Sequence, residues 1–116
     1  MAEGSDFVIN ELVVNTLKPL GIPIVYLRYE TDQKATAYCL FSIYNDEETD
    51  FADDTNDSET YYVQVSFWYD HPEDFAKVAQ IRKLMKDAGF HYDGANDLFN
   101  ENSFGKNIDF IYINYL

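Results

Sequence analysis

The sequence predicts an α+β fold: a mainly antiparallel sheet of four to five strands with two helices packed on one face, in the order α-β-β-β-α-β-β. Three observations carry this expectation. An alternating run at 60–69 passes directly into an amphipathic helical run at 72–88. Two further alternating runs, at 36–44 and 107–115, supply long strands. The connections read as hairpin-like and no internal repeat is present, so the elements form one layered domain over residues 1–116.

Ser5 or Asp6 is positioned to cap a first helix running to about Leu17. Phe7, Ile9, Leu12, Val13, Thr16 and Leu17 give it an apolar stripe, blurred by Val8 and Val14. Its β-branched residues weaken intrinsic helicity, so it depends on packing. Pro19, Gly21 and Pro23 end it in a stiff connection. Ile24 to Tyr29 reads as a short strand with Val25, Leu27 and Tyr29 on one face, followed by polar, turn-like residues to Lys34. Thr36 to Tyr44 is apolar on both sides: Ala37, Cys39, Phe41 and Ile43 on one, Tyr38, Leu40 and Tyr44 on the other. That pattern marks a central or interface strand.

The strand at 60–69 places Tyr61, Val63, Val65, Phe67 and Tyr69 on one apolar face and Tyr62, Gln64, Ser66 and Trp68 on the other. The aromatic and β-branched residues suit a pleated surface, and Trp68 is large enough to need cover. The second helix starts at the Asp70-His71-Pro72-Glu73-Asp74 segment. A residue before proline resists the helical region, which makes His71 the N-cap and Pro72 the first helical residue. Asp70 as cap, with Glu73 reaching back, is the competing arrangement. Glu73 and Asp74 favour the positive end of the helix dipole, and Arg82, Lys83 and Lys86 the negative end. Phe75, Val78, Ile81, Met85 and Ala88 form the buried stripe, and Gly89 closes the helix.

Phe90 to Asp93 starts another strand. Residues 94–106 are rich in turn formers (Gly94, Asn96, Asp97, Asn100, Asn102, Ser103, Gly105), interrupted by Leu98 and Phe99, which suit a short strand. Asn107 to Tyr115 is the last strand. Ile108, Phe110 and Tyr112 lie on one side and Ile111, Ile113 and Tyr115 on the other.

A chain of 116 residues, nearly half of them apolar, builds an ordinary core without metal or disulfide staples. No run approaches the roughly 20 apolar residues needed to span a bilayer. Residues Met1 to Ser5 lack the basic start of a secretory signal. A single cysteine, Cys39, excludes an intrachain disulfide, reads as a small buried apolar residue, and points to an intracellular origin. The net charge of −13 argues against a basic nucleic-acid groove and against anionic membranes.

Asp46 to Glu59 is the most unusual stretch: 14 residues with eight acids, no lysine or arginine, and Phe51 as the one aromatic. Charge this dense favours a solvated loop, longer than hairpins normally use. Its residues Asp46, Glu47, Glu48, Asp50, Phe51, Asp53, Asp54, Asp57 and Glu59 are the candidate partner-binding set. It lacks the glycine and the helical frame of an EF-hand, so specific calcium binding is not expected. His71 and His91 read as a cap and a partly exposed strand residue. Cys39 has no CxxC partner, and no P-loop or GxGxxG is present. Nothing assembles a nucleophile, a base and an oxyanion site, so no catalytic, cofactor or metal residues are assigned. Among the ten tyrosines, Tyr38, Tyr44 and Tyr62, together with Trp68, lie opposite the face assigned to the core and are the candidate oligomer interface.

The acidic loop, the strand TYYVQVSFWYD, the helix EDFAKVAQIRKLMKDAGF and the closing strand FIYINYL resemble small tail-completion proteins of long-tailed phages and prophages, also called tail terminators or head–tail joining proteins. The resemblance runs from about Pro23 onward; the first 20 residues match only in being a short helix. It implies a non-enzymatic α+β protein with no cofactor. Such a protein assembles as a ring, commonly a hexamer, that caps the tail tube and joins it to the head. It would contact other tail or head-connector proteins, be made in the bacterial host cytoplasm, and end at the virion head–tail junction. DNA would pass without specific binding, repelled by acidic side chains facing the channel. A different class is an acidic inhibitor or DNA mimic that occupies a basic partner. Carboxylates concentrated in one loop fit that class poorly, because a mimic spaces them at phosphate-like intervals.

Overall fold

The computed structural model describes residues 2–26, 36–48, 58–99 and 103–115, and side chains within 9–26, 36–44, 59–99 and 103–114. Two helices, α1 (Ala2–Leu17) and α2 (Ala76–Asp87), pack on one face of a five-stranded sheet. The strands are β1 (Ile24–Tyr26), β2 (Ala37–Glu48), β3 (Ser58–Tyr69), β4 (His91–Phe99) and β5 (Phe104–Tyr115). Their spatial order is β1-β2-β3-β5-β4. The α+β class, the element order and the mostly antiparallel sheet are as the sequence predicts.

The core lies between the helices and one sheet face. β3 contributes Tyr61, Val63, Val65 and Phe67, all at most 1% exposed. β2 adds Ala37, Cys39 and Phe41, and β5 adds Ile108 and Phe110. The helices close the layer with Ile9, Val13 and Leu17 from α1 and Val78, Ile81 and Met85 from α2. Alternation of period two on the strands and steps of three and four on the helices bring these positions together. Tyr61, although polar at its tip, sits in this layer and donates a hydrogen bond to Glu59 at 3.1 Å.

Several expected details change. α1 begins at Ala2, so Ser5 and Asp6 lie inside the helix rather than capping it. The pair β1–β2 is parallel, with Ile24 opposite Cys39 and Tyr26 opposite Phe41. Val25 therefore sits in register with Leu40 on the sheet face away from the helices, while Leu27 and Tyr29 lie outside the described residues. His71 is the extended residue before Pro72, as its position predicts, but its side chain makes no cap bond, and Pro72–Phe75 forms a 3-10 turn before α2. The tighter winding of that turn rotates Phe75 out of the buried stripe, leaving it 53% exposed. Asp70 does not cap the helix either: its carboxylate accepts a hydrogen bond from Ser103 Oγ at 2.8 Å.

The largest change is at 91–106. The turn formers there lie within a strand, β4, that pairs with β5 along its length. The register slips between Tyr92 and Gly94, and Gly94 takes φ +139°, a conformation open to glycine at such a bulge. β4 is an edge strand, which tolerates the polar residues Asn96 and Asp97.

Candidate protein-interaction surface

The helices cover only one face of the sheet, and the other face is open among the described residues. It is built from cross-strand rows. At one end Tyr38, Trp68, Gly105 and Leu98 are consecutive partners across β2, β3, β5 and β4. At the other end Tyr44, Tyr62, Ile111 and His91 form the equivalent row. Between them run Leu40, Ser66, Asn107 and Asn96, then Ser42, Gln64, Asp109 and Gly94. All four residues expected at an interface, Tyr38, Tyr44, Tyr62 and Trp68, thus lie on this one face. Leu40 and Ile111 join them, as two-sided apolar strands foreshadow.

Two polar pairs of the middle are hydrogen-bonded across β3 and β5. Gln64 Nε2 donates to Asp109 Oδ1 at 3.0 Å, and Ser66 Oγ donates to Asn107 Oδ1. The rings of Tyr44 and Tyr62 stack at 5.6 Å with 25° between planes. Partial desolvation of the Tyr44 phenol, and then the charges of Asp109 and Asp93 and the neighbouring Tyr62, push its pKa up. Trp68 covers Gly105, whose missing side chain makes room for the ring. The result is two aromatic ends separated by a belt of paired polar groups. Rigid aromatic area with locally satisfied polar groups can meet another protein surface without stranding donors or acceptors.

The acidic stretch is shorter than expected as a loop. β2 runs through Glu48 and β3 starts at Ser58, with Glu47 opposite Thr60 and Glu48 opposite Glu59. Asp46, Glu47, Glu48 and Glu59 are therefore strand residues. A register shift between Tyr44 and Glu47 admits one extra residue there. Backbone pairing in the hairpin extends through like-charged positions at this outer end. Asp50, Phe51, Asp53, Asp54 and Asp57 of the candidate partner-binding set lie outside the described residues.

Cys39 is fully buried, and burial pushes its thiol from the ordinary 9.0 up to about 12, which is the wrong direction for a nucleophile. His71 and His91 are both exposed. Among the described residues no three His, Cys, Asp or Glu side chains group to hold a metal ion, and no helix is long and apolar enough to cross a membrane. The chain matches no protein-family model, and no curated protein sequence matches it.

Proposed function

We propose that this protein is a non-enzymatic structural component of a long-tailed phage or prophage. Copies assemble into a ring that completes the tail and joins it to the head. The observation that supports this reading is the uncovered sheet face with its two aromatic ends. Among the described residues no second layer covers the exposed Tyr44 and the half-buried Tyr62 and Trp68 on the face away from the helices, and symmetric assembly is a common way to cover such a surface. The α+β order agrees with the fold that the sequence resemblance implies. The charge of −13 gives the ring a physical reason not to hold passing DNA. The same charge opposes assembly, so the contacts that form through the uncharged sheet face strengthen as salt screens repulsion.

The test is sedimentation velocity and native mass spectrometry across a salt series, with tail-tube and head-connector proteins added. A closed oligomer of one defined size that binds either partner is the expected result. A chain that stays monomeric at every salt concentration and binds neither would overturn the proposal.

A further inference from the structure

A groove of about 370 Å³ runs between α2 and the β4–β5 edge, on the side away from the open sheet face. Its apolar wall is Phe75, Val78 and Ala79, and its other wall includes Tyr92 and Lys106. Arg82 stands over the Tyr92 ring at 3.9 Å and has no carboxylate partner among the described residues. Lys106 reaches Asp97 at 2.9 Å. The adjoining surface of α2 carries Lys83 and Lys86. With Lys77, α2 holds half of the chain's eight basic residues. Lys77 pairs with Asp74 and Lys83 with Asp87, so Arg82 and Lys86 are the α2 cations without an ion pair among the described residues; in a protein of net charge −13 they stand near an exposed aromatic, Phe75, at the mouth of the groove.

We infer that this groove receives the acidic segment 49–57 of a second copy of the chain, with Phe51 entering beside Phe75 and the flanking aspartates meeting Arg82 and Lys106. Charge complementarity selects the occupant: Asp50, Asp53, Asp54 and Asp57 surround Phe51, and no basic residue interrupts them.

Geometry makes the contact intermolecular. Glu48 pairs with Glu59, and Glu59 with Asn114, so the segment leaves the sheet beside the Asn114 end of β5. Lys106 lies toward the opposite end of β5, about 26 Å away at roughly 3.3 Å per residue. Phe51 follows Glu48 by three residues, so the chain between them spans at most about 11 Å. Phe51 therefore falls far short of the Lys106 side of its own groove. A donor at one end of the sheet and an acceptor toward the other make a head-to-tail contact, which generates rings when the rotation closes and filaments when it does not. The inference shares with the tail-ring proposal only the expectation that copies associate.

A labelled peptide spanning 46–59, titrated with the full-length protein at low salt and followed by fluorescence anisotropy, tests this directly. The peptide should bind, and affinity should fall about tenfold or more with the Arg82→Glu, Lys106→Glu double variant. Phe51→Ala in the peptide alone, which leaves the protein's folding untouched, should also weaken binding. A protein with Asp50, Asp53, Asp54 and Asp57 changed to Asn, mixed with the groove double variant, should form a one-to-one complex that grows no further. Absent binding, or binding indifferent to both the groove and the Phe51 changes, overturns the inference. If the wild-type protein still forms closed rings in that case, the tail-ring proposal stands without it. If the peptide binds as expected and the protein never closes a ring, the groove contact stands and the ring proposal falls.

Discussion

Trp68 packs its indole directly over Gly105. A Cβ placed at position 105 would stand 2.8 Å from Cε3 of that ring and 2.9 Å from Cζ3, closer than such atoms approach. Gly105 does not have positive φ, so any cost of adding a methyl there comes from the ring and not from the backbone. Gly105→Ala should destabilise the protein by about 1–3 kcal/mol in urea unfolding. In a Trp68→Ala background the same change should be neutral or slightly stabilising, because it then only restricts the unfolded chain. Equal costs in both backgrounds would show that the two residues are not coupled.

Phe67 and Phe75 give a second contrast. Phe67 is fully buried and stacks on Tyr69 at 5.1 Å, whereas Phe75 is 53% exposed. Phe67→Ala should cost about 3–5 kcal/mol, and Phe75→Ala about 0.5 kcal/mol or less. Thermal melts compare them directly. A large loss at Phe75 would place it back in the helical core stripe.

The thiol of Cys39 should resist alkylation in the folded protein at pH 8 and react at once in denaturant, because burial holds it in the neutral form up to about pH 12. The linkage has a definite sign. The folded-state pKa is raised, so between the ordinary 9.0 and about 12 the unfolded chain binds fewer protons than the folded one. The stability owed to the neutral thiol is complete below pH 9 and declines as pH rises through that window. Cys39→Ala removes this share, so the wild-type advantage over the variant should shrink from pH 9 to 12. A gap independent of pH would contradict the assignment.

Tyr44 and Tyr62 test the open face. Their stacked pair on an exposed sheet surface should contribute only about 0.2–1 kcal/mol within one subunit, so Tyr62→Ser should barely move the melting temperature. If copies meet through this face, the same change should weaken self-association about tenfold or more by sedimentation. A large drop in melting temperature with self-association unchanged would reverse the assignment.

What the sequence made legible follows physical locality. The alternation of Tyr61 to Tyr69 and the stripe Val78, Ile81 and Met85 are written in neighbouring residues, and the structure keeps both. The placement of Tyr38, Tyr44, Tyr62 and Trp68 on one face follows from period two alone. The spacing places Phe75 in the helical stripe, but a proline-led 3-10 turn changes the winding within a few residues and turns it outward. β4 is legible at its ends, Phe90 to Asp93 and Leu98 to Phe99, but not through Gly94, Asn96 and Asp97, whose turn chemistry only pairing with β5 overrides. The short strand β1 is legible in Ile24 to Tyr26, but its parallel pairing with β2 is not, because no local turn sets it. The Arg82–Tyr92 contact that shapes the groove joins a helix to an edge strand and has no signature in either segment.

The order of strands in space has a consequence for how the chain is built. β4 is made before β5, yet its hydrogen-bonding neighbour in the sheet is β5, which also borders β3 along its whole length. During synthesis β4 must therefore wait unpaired while β1 to β3 are already able to associate. Emergence of β5 zips both sides at once, joining the hairpin half to the edge half in a single late event. A ribosome-bound intermediate stalled before Phe104 should hold a partial sheet that any stray strand can extend.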